Sequence, residues 1–177
     1  MTRRNAFGRR GVLGLMASGV AMLTLPYRAD ALTGPVSWQD HFDMIENGAM
    51  LADTKARTLH VWGGDGRIHR LYPIAPPGGG TLLWRGRTQV VRKVEGPTWR
   101  PGPDLAARVP GLPGVIPPGP DNPLGSHALY LDWQGFRIHG RAESAQLRHA
   151  GDGISLSNEH IAELFPLARI GMPVKVV

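Results

Sequence analysis

The sequence predicts a mainly β fold. Two features carry that expectation: 24 glycines and 16 prolines punctuate the 177 residues, and short β-branched or aromatic runs lie between those turn signals. Only one stretch shows a clear helical period. The strands expected are residues 58–62, 67–74, 88–94, 128–133 and 136–139. Asp65 and Gly66 form a tight hairpin turn between the first two, because positive φ costs glycine little. Trp133, Gln134, Gly135 and Phe136 mark a second reversal. The helix covers residues 158–169: Asn158 caps it, with Ser157 as a second capping candidate, and Ile161, Leu164, Phe165 and Ala168 recur at helical spacing until Gly171 and Pro173 stop it. Residues 174–177 then read as a last strand. A short helix is expected around residues 41–45. Residues 97–123, dense in proline and glycine, read as a long functional loop pinned by Trp99, Leu105 and Leu112. There is no internal repeat.

Residues 1–31 read as an export signal. Arg3, Arg4, Arg9 and Arg10 make a basic opening, residues 12–25 an apolar run, and Ala29, Asp30 and Ala31 a small-x-small cleavage pattern. Arg9 and Arg10 followed by Gly11, Val12 and Leu13 resemble the twin-arginine variant, whose route carries folded cargo to the periplasm. The apolar run is shorter than the roughly twenty residues a spanning helix needs, so no stable membrane span is expected after signal removal. With no cysteine in the chain, lipid anchoring through that residue is excluded.

Signal removal also changes the electrostatics. Of 20 basic and 14 acidic residues, five arginines and one aspartate lie in residues 1–31, which leaves 15 against 13, a net of +2 in place of +6. A nucleic-acid partner is therefore not expected. Arg85, Arg87, Arg92 and Lys93 alternate with apolar residues, as the wet face of strands does. The remaining chain, about 145 residues, is divided into a lead-in over 32–52 and one domain over 53–177. Without disulfides, apolar burial alone must hold it together.

Four segments carry a resemblance. Pro97, Thr98, Trp99, Arg100, Pro101, Gly102 and Pro103 come first; Gly119 to Gly125 with Ala128, Leu129 and Tyr130 follow; then Phe136, Arg137, Ile138, His139 and Gly140; then Gly153 to Ile161. In this order they resemble the proline-rich loop, the following signature, the histidine strand and the end of the nucleophile motif of the L,D-transpeptidase catalytic-domain family (YkuD or ErfK type), which acts on bacterial peptidoglycan. The resemblance implies an L,D-transpeptidase-type β-sandwich or barrel with one short helix after the nucleophile motif. It also implies acyl transfer, in which a histidine activates a cysteine thiol that attacks the carbonyl after diaminopimelate in a tetrapeptide stem.

The departures concern the reactive atom. The family motif Ser-x-Gly-Cys-Ile-Arg falls on Ala150 (serine), Asp152 (glycine), Gly153 (cysteine) and Ser155 (arginine), and Arg141 stands where Thr or Ser commonly follows His-Gly. His139 is thus a relic general base, Gly153 marks the missing nucleophile, and Trp99, Gly140, Arg141, Asp152 and Ser155 are the substrate-binding candidates, with Arg141 set to pair with a stem carboxylate. The expectation is a pseudoenzyme of cell-wall metabolism that binds stem peptides or modulates a cell-wall enzyme, with no cofactor. The alternative is a residual acyl-transferase or peptidoglycan hydrolase that uses Ser155, activated water or a metal. For a metal, His149, Asp152, Asp121 and His127 offer side chains, but at no spacing typical of a metal site. Trp62, Trp84, Trp99 and Trp133 offer rings for sugar stacking, although aromatics in such places are more often anchors.

Overall fold

Among the described residues, eight strands form one curled sheet whose two ends meet. A computed structural model of the protein describes residues 36–75, 84–143 and 153–177. The strands are β1 (Ala49–Asp53), β2 (Thr58–Trp62), β3 (His69–Pro73), β4 (Gly86–Glu95), β5 (His127–Leu131), β6 (Arg137–His139), β7 (Gly153–Ser155) and β8 (Pro173–Val176). Two α-helices, α1 (Pro103–Arg108) and α2 (Asn158–Leu164), complete the elements beside a 3-10 turn at Trp38–Asp40. The sheet order is β3-β2-β1-β8-β4-β5-β6-β7. β1 with β8 and β6 with β7 are parallel, and the other neighbours are antiparallel. Just past β3, Ala75 exchanges two backbone hydrogen bonds of 2.9 Å with Ser155 of β7, joining the first strand to the last.

β4 makes this curvature possible. Its first half, residues 86–89, pairs with β8, its second half pairs with β5, and the register shifts between Val90 and Arg92. A bulge of this kind bends and twists a strand, so one chain segment serves both halves of the sheet.

The inner face carries the main core, in which Met50, Leu59, Tyr72, Val90, Leu129, Ile138, Ile154 and Val174 are buried together with Ile161 and Leu164 of α2. α2 begins at Ser157, whose side chain accepts from the His160 N–H at 3.2 Å. The helix is shorter than its apolar period suggests and ends at Leu164, after which Lys93 Nζ donates to the Ala168 carbonyl at 2.6 Å and lies 4.4 Å from the Phe165 ring. Phe42, Ile45, Ala49, Leu51 and Trp62 form a second cluster. β1 therefore buries both faces, Met50 and Ala52 in one cluster and Ala49 and Leu51 in the other.

Several expectations are corrected here. Residues 41–45 are not helical; the local turn is Trp38–Asp40, and Phe42 and Ile45 serve as core anchors. The sheet begins at Ala49, inside the segment read as a lead-in. The Asp65-Gly66 turn is present, with Gly66 at φ 71° and Asp65 accepting from the Arg67 N–H at 3.0 Å, but β3 starts only at His69. The helix cap is Ser157, not Asn158. The proline-rich segment contains α1, so the fold has a second α-helix. The export signal lies outside the described residues. Among those described, no helix is long and apolar enough to cross a membrane.

The segment around α1 is pinned as expected. Trp99 and Ile116 exchange backbone hydrogen bonds of 2.9 and 2.8 Å, and both pack with Leu124 against Leu105 and Leu112. Fully buried Asn122 holds the base of this segment: its amide donates to the carbonyls of Pro97, Ile116 and Pro117 at 2.7, 3.1 and 3.0 Å, and its oxygen accepts from the Leu124 N–H at 2.9 Å. Asn122→Ala leaves buried backbone groups unpaired. It is expected to cost about 2–3 kcal/mol in chemical denaturation and to speed proteolytic cleavage between residues 97 and 121.

Candidate functional site

The candidate site grows from the register of three adjacent strand pairs. Arg92 on β4, Tyr130 on β5, Arg137 on β6 and Gly153 on β7 are aligned as cross-strand partners. One step along, Val94, Ala128, His139 and Ser155 form a second aligned row. Residues in register share a face, and residues between them face the other way. Leu129, Ile138 and Ile154 accordingly fill the core, and the two rows lie on the opposite face.

β7 runs closely between β6 and Ala75. Gly153 has φ 128°, a region that side-chain-bearing residues rarely adopt, and a Cβ built there would stand 1.9 Å from the Arg137 carbonyl oxygen and 2.8 Å from its nitrogen. Both contacts are to backbone. No side chain fits at position 153 without moving β6 or β7.

His139 is 1% exposed. Its Nδ1 lies 2.6 Å from the Gly140 carbonyl oxygen, which can only accept, so the proton is on Nδ1. Nε2 is then a lone-pair acceptor, buried and without a hydrogen-bond partner among the described residues. The ring's pKa is lowered from 6.5 to about 4, chiefly by burial; the Gly140 hydrogen bond opposes the shift and the nearby Arg137 charge adds to it. The imidazole is neutral at physiological pH. Ser155, 6% exposed, is its register partner on β7, yet the serine hydroxyl does not donate to Nε2.

Asn158 organises the loops beside this row. Its side-chain oxygen accepts from the N–H groups of Ser126 and Arg141 at 3.1 and 3.2 Å, and its amide donates to the Arg141 carbonyl at 3.0 Å. Gly125 and Gly140 permit the approach, since a Cβ at either would fall about 2.1–2.2 Å from the Asn158 oxygen. This clamp joins the start of β5, the end of β6 and the first turn of α2. The two flanking glycines are the sequence signal that points to it.

The chain's relatives can now be set beside this geometry. The family model for the L,D-transpeptidase catalytic domain, YkuD, matches residues 47–176. The chain belongs to the L,D-transpeptidase catalytic-domain family. It is 40% identical over 188 residues to the L,D-transpeptidase-like ORF 5 protein of the ATP synthase subunits region of Fuscovulum blasticum, covering 98% of this chain and 99% of that protein. It is 32% identical to ErfK/SrfK of Escherichia coli strain K12, an L,D-transpeptidase by name, over 76% of this chain and 45% of that protein. The chain thus spans nearly all of the first relative and less than half of the second. Two solved structures share the fold. L,D-transpeptidase 1 of Mycobacterium tuberculosis has a TM-score of 0.53 at 19% identity, over 74% of this chain and 61% of that one. A mutant L,D-transpeptidase of Enterococcus faecium has a TM-score of 0.55 at 21% identity, over 75% and 50%.

Against this family fold, the structure brings His139, Gly140, Gly153 and Ser155 together on β6 and β7. Ala150, Asp152 and His149 lie outside the described residues. Trp99 does not line a groove: it is 2% exposed and anchors the α1 segment. Arg141 is also engaged, its Nε donating to the Leu156 carbonyl at 3.1 Å and its backbone held by Asn158. Through Nε it braces the connection from β7 to α2. Trp84 and Trp133 do form an aromatic pair, tilted with centroids 5.8 Å apart, whereas Trp62 stacks on His60 and His69.

Two outcomes are expected from this geometry. The unfolded His139 takes up a proton near pH 6.5 while the native ring resists until about 4, so its contribution to stability is complete above pH 6.5 and is lost as pH falls toward 4. The loss is on the order of 3 kcal/mol, and His139→Gln is expected to flatten that part of the stability profile relative to wild type in denaturation series at each pH. Gly153→Ala is expected to destabilise by roughly 2–4 kcal/mol through strain and overlap. Gly135→Ala is the control: φ is 78° with nothing within 4 Å of its added Cβ, so only the strain of about 1 kcal/mol applies.

Proposed function

We propose that this protein is an exported pseudoenzyme of peptidoglycan metabolism, which works by holding stem peptides or modulating a cell-wall enzyme. One observation carries the reading. The chain has no cysteine, and the position laid on the family nucleophile, Gly153, sits where a Cβ collides with the backbone of the neighbouring strand. A thioester needs a thiolate, and no residue here supplies one. His139 remains as a neutral base with nothing to deprotonate.

A serine route through Ser155 has one point in its favour, the alignment of Ser155 with His139. The empty Nε2 weighs against it, because base-assisted attack begins with the hydroxyl donating to the base. Export to the periplasm, through the twin-arginine-like segment at residues 1–31, belongs to the same proposal.

The test is co-sedimentation of the purified protein with intact sacculi, followed by muropeptide profiling. Retention on sacculi with an unchanged profile is the expected result, and released tetrapeptide stems are expected to compete. New cross-links or shortened stems produced by metal-free protein contradict the proposal. Failure to sediment removes the stem-binding role and leaves a protein partner as the remaining role.

A further inference from the structure

The outer face beside His139 carries two cations that meet no carboxylate among the described residues. Arg92 and Arg137 flank Tyr130 on neighbouring strands, with Cζ atoms 3.7 and 5.3 Å from the centre of the same phenol ring. Among the described residues, the ion pair formed is Arg87 with Asp43 at 3.8 Å, and it involves neither Arg92 nor Arg137. The Nε of Arg137 is buried and has no acceptor among the described residues.

These features are costly for a surface with a purely structural purpose. Two like charges drawn to one ring repel, and a buried donor without a partner forfeits its hydration. A planar guanidinium lying on an aromatic ring keeps its N–H edge free, and that edge matches the two oxygens of a carboxylate. An arriving carboxylate would cancel the repulsion between the two guanidinium groups. The row is rigidly built, since Arg92, Tyr130 and Arg137 are all strand residues in continuous register. It runs into Gly153 of β7, which contributes no side chain, and its Arg137 stands two residues from His139 along β6.

We propose that Arg92, Tyr130 and Arg137 form a carboxylate-binding subsite that fixes a free carboxylate of a bound peptide across the row ending at Gly153. The ligand follows from the stem-binding reading above, on which this inference rests: a peptidoglycan tetrapeptide stem is rich in free carboxylates. Arg92 and Arg137 take the part that sequence alone gave to Arg141, whose Nε is occupied by the Leu156 carbonyl.

The experiment is calorimetric titration of the purified protein with a soluble tetrapeptide stem and with the same stem amidated at its carboxylates. Wild type is expected to bind the amidated stem about tenfold more weakly, and Arg92→Gln or Arg137→Gln to lose about tenfold for the acid stem while treating both stems alike. Arg137→Lys keeps the charge but not the planar fork, so an intermediate loss is expected; it serves if Arg137→Gln is unstable. Equal binding of both stems by wild type, or variants that bind the acid stem as wild type does, overturns the subsite while stem binding stands. If wild type binds neither stem, the stem-binding reading falls and the subsite falls with it.

Discussion

The close parallel approach of β7 to β6 is the constraint from which the other features follow. A three-residue strand has little pairing energy of its own, and β7 is held because it is bonded on both sides, to β6 and to Ala75 beyond β3. That arrangement joins the two ends of the sheet and places Ile154 in the core. It also brings the Gly153 backbone so near Arg137 that only glycine fits. Closure of the sheet and the lack of a reactive side chain at this place have one physical origin.

Around that seam, polar side chains set the positions of the loops. Asn158 ties three segments together, Asn122 gathers three carbonyls beneath the α1 segment, and Ser157 rather than Asn158 caps α2. Each asparagine is matched to its partners, so its burial is stabilising. His139 is different. Its ring is buried with one nitrogen satisfied and the other not, an arrangement that keeps it neutral and leaves a basic atom without a task in the fold. The β7 residues in register with Arg137 and His139 are Gly153 and Ser155.

Much of this could be read from the chain, and the failures have identifiable causes. β2, β5 and β6 alternate or carry β-branched and aromatic residues, so their period is visible. β1, with the sequence Ala-Met-Leu-Ala-Asp, is buried on both faces and lacks alternation, which hides it. The order of motifs identified the family, but not which polar residues would be engaged. Asn158 has the composition of a cap and Arg141 that of a ligand hook, yet distant backbone groups claim both side chains. Trp99 marked a pinned segment correctly, while its burial by Ile116 and Leu124 depends on contacts no local pattern contains. The Arg92, Tyr130 and Arg137 row exists only once the register of β4, β5 and β6 is fixed.

A chain with no cysteine is expected to form no thioester intermediate with a peptide donor. Intact-protein mass spectrometry after incubation with an excess of tetrapeptide donor tests it directly. An unchanged protein mass at every time point is the predicted result. A mass increase equal to the acyl fragment, abolished by Ser155→Ala, contradicts the account and would assign the chemistry to that serine.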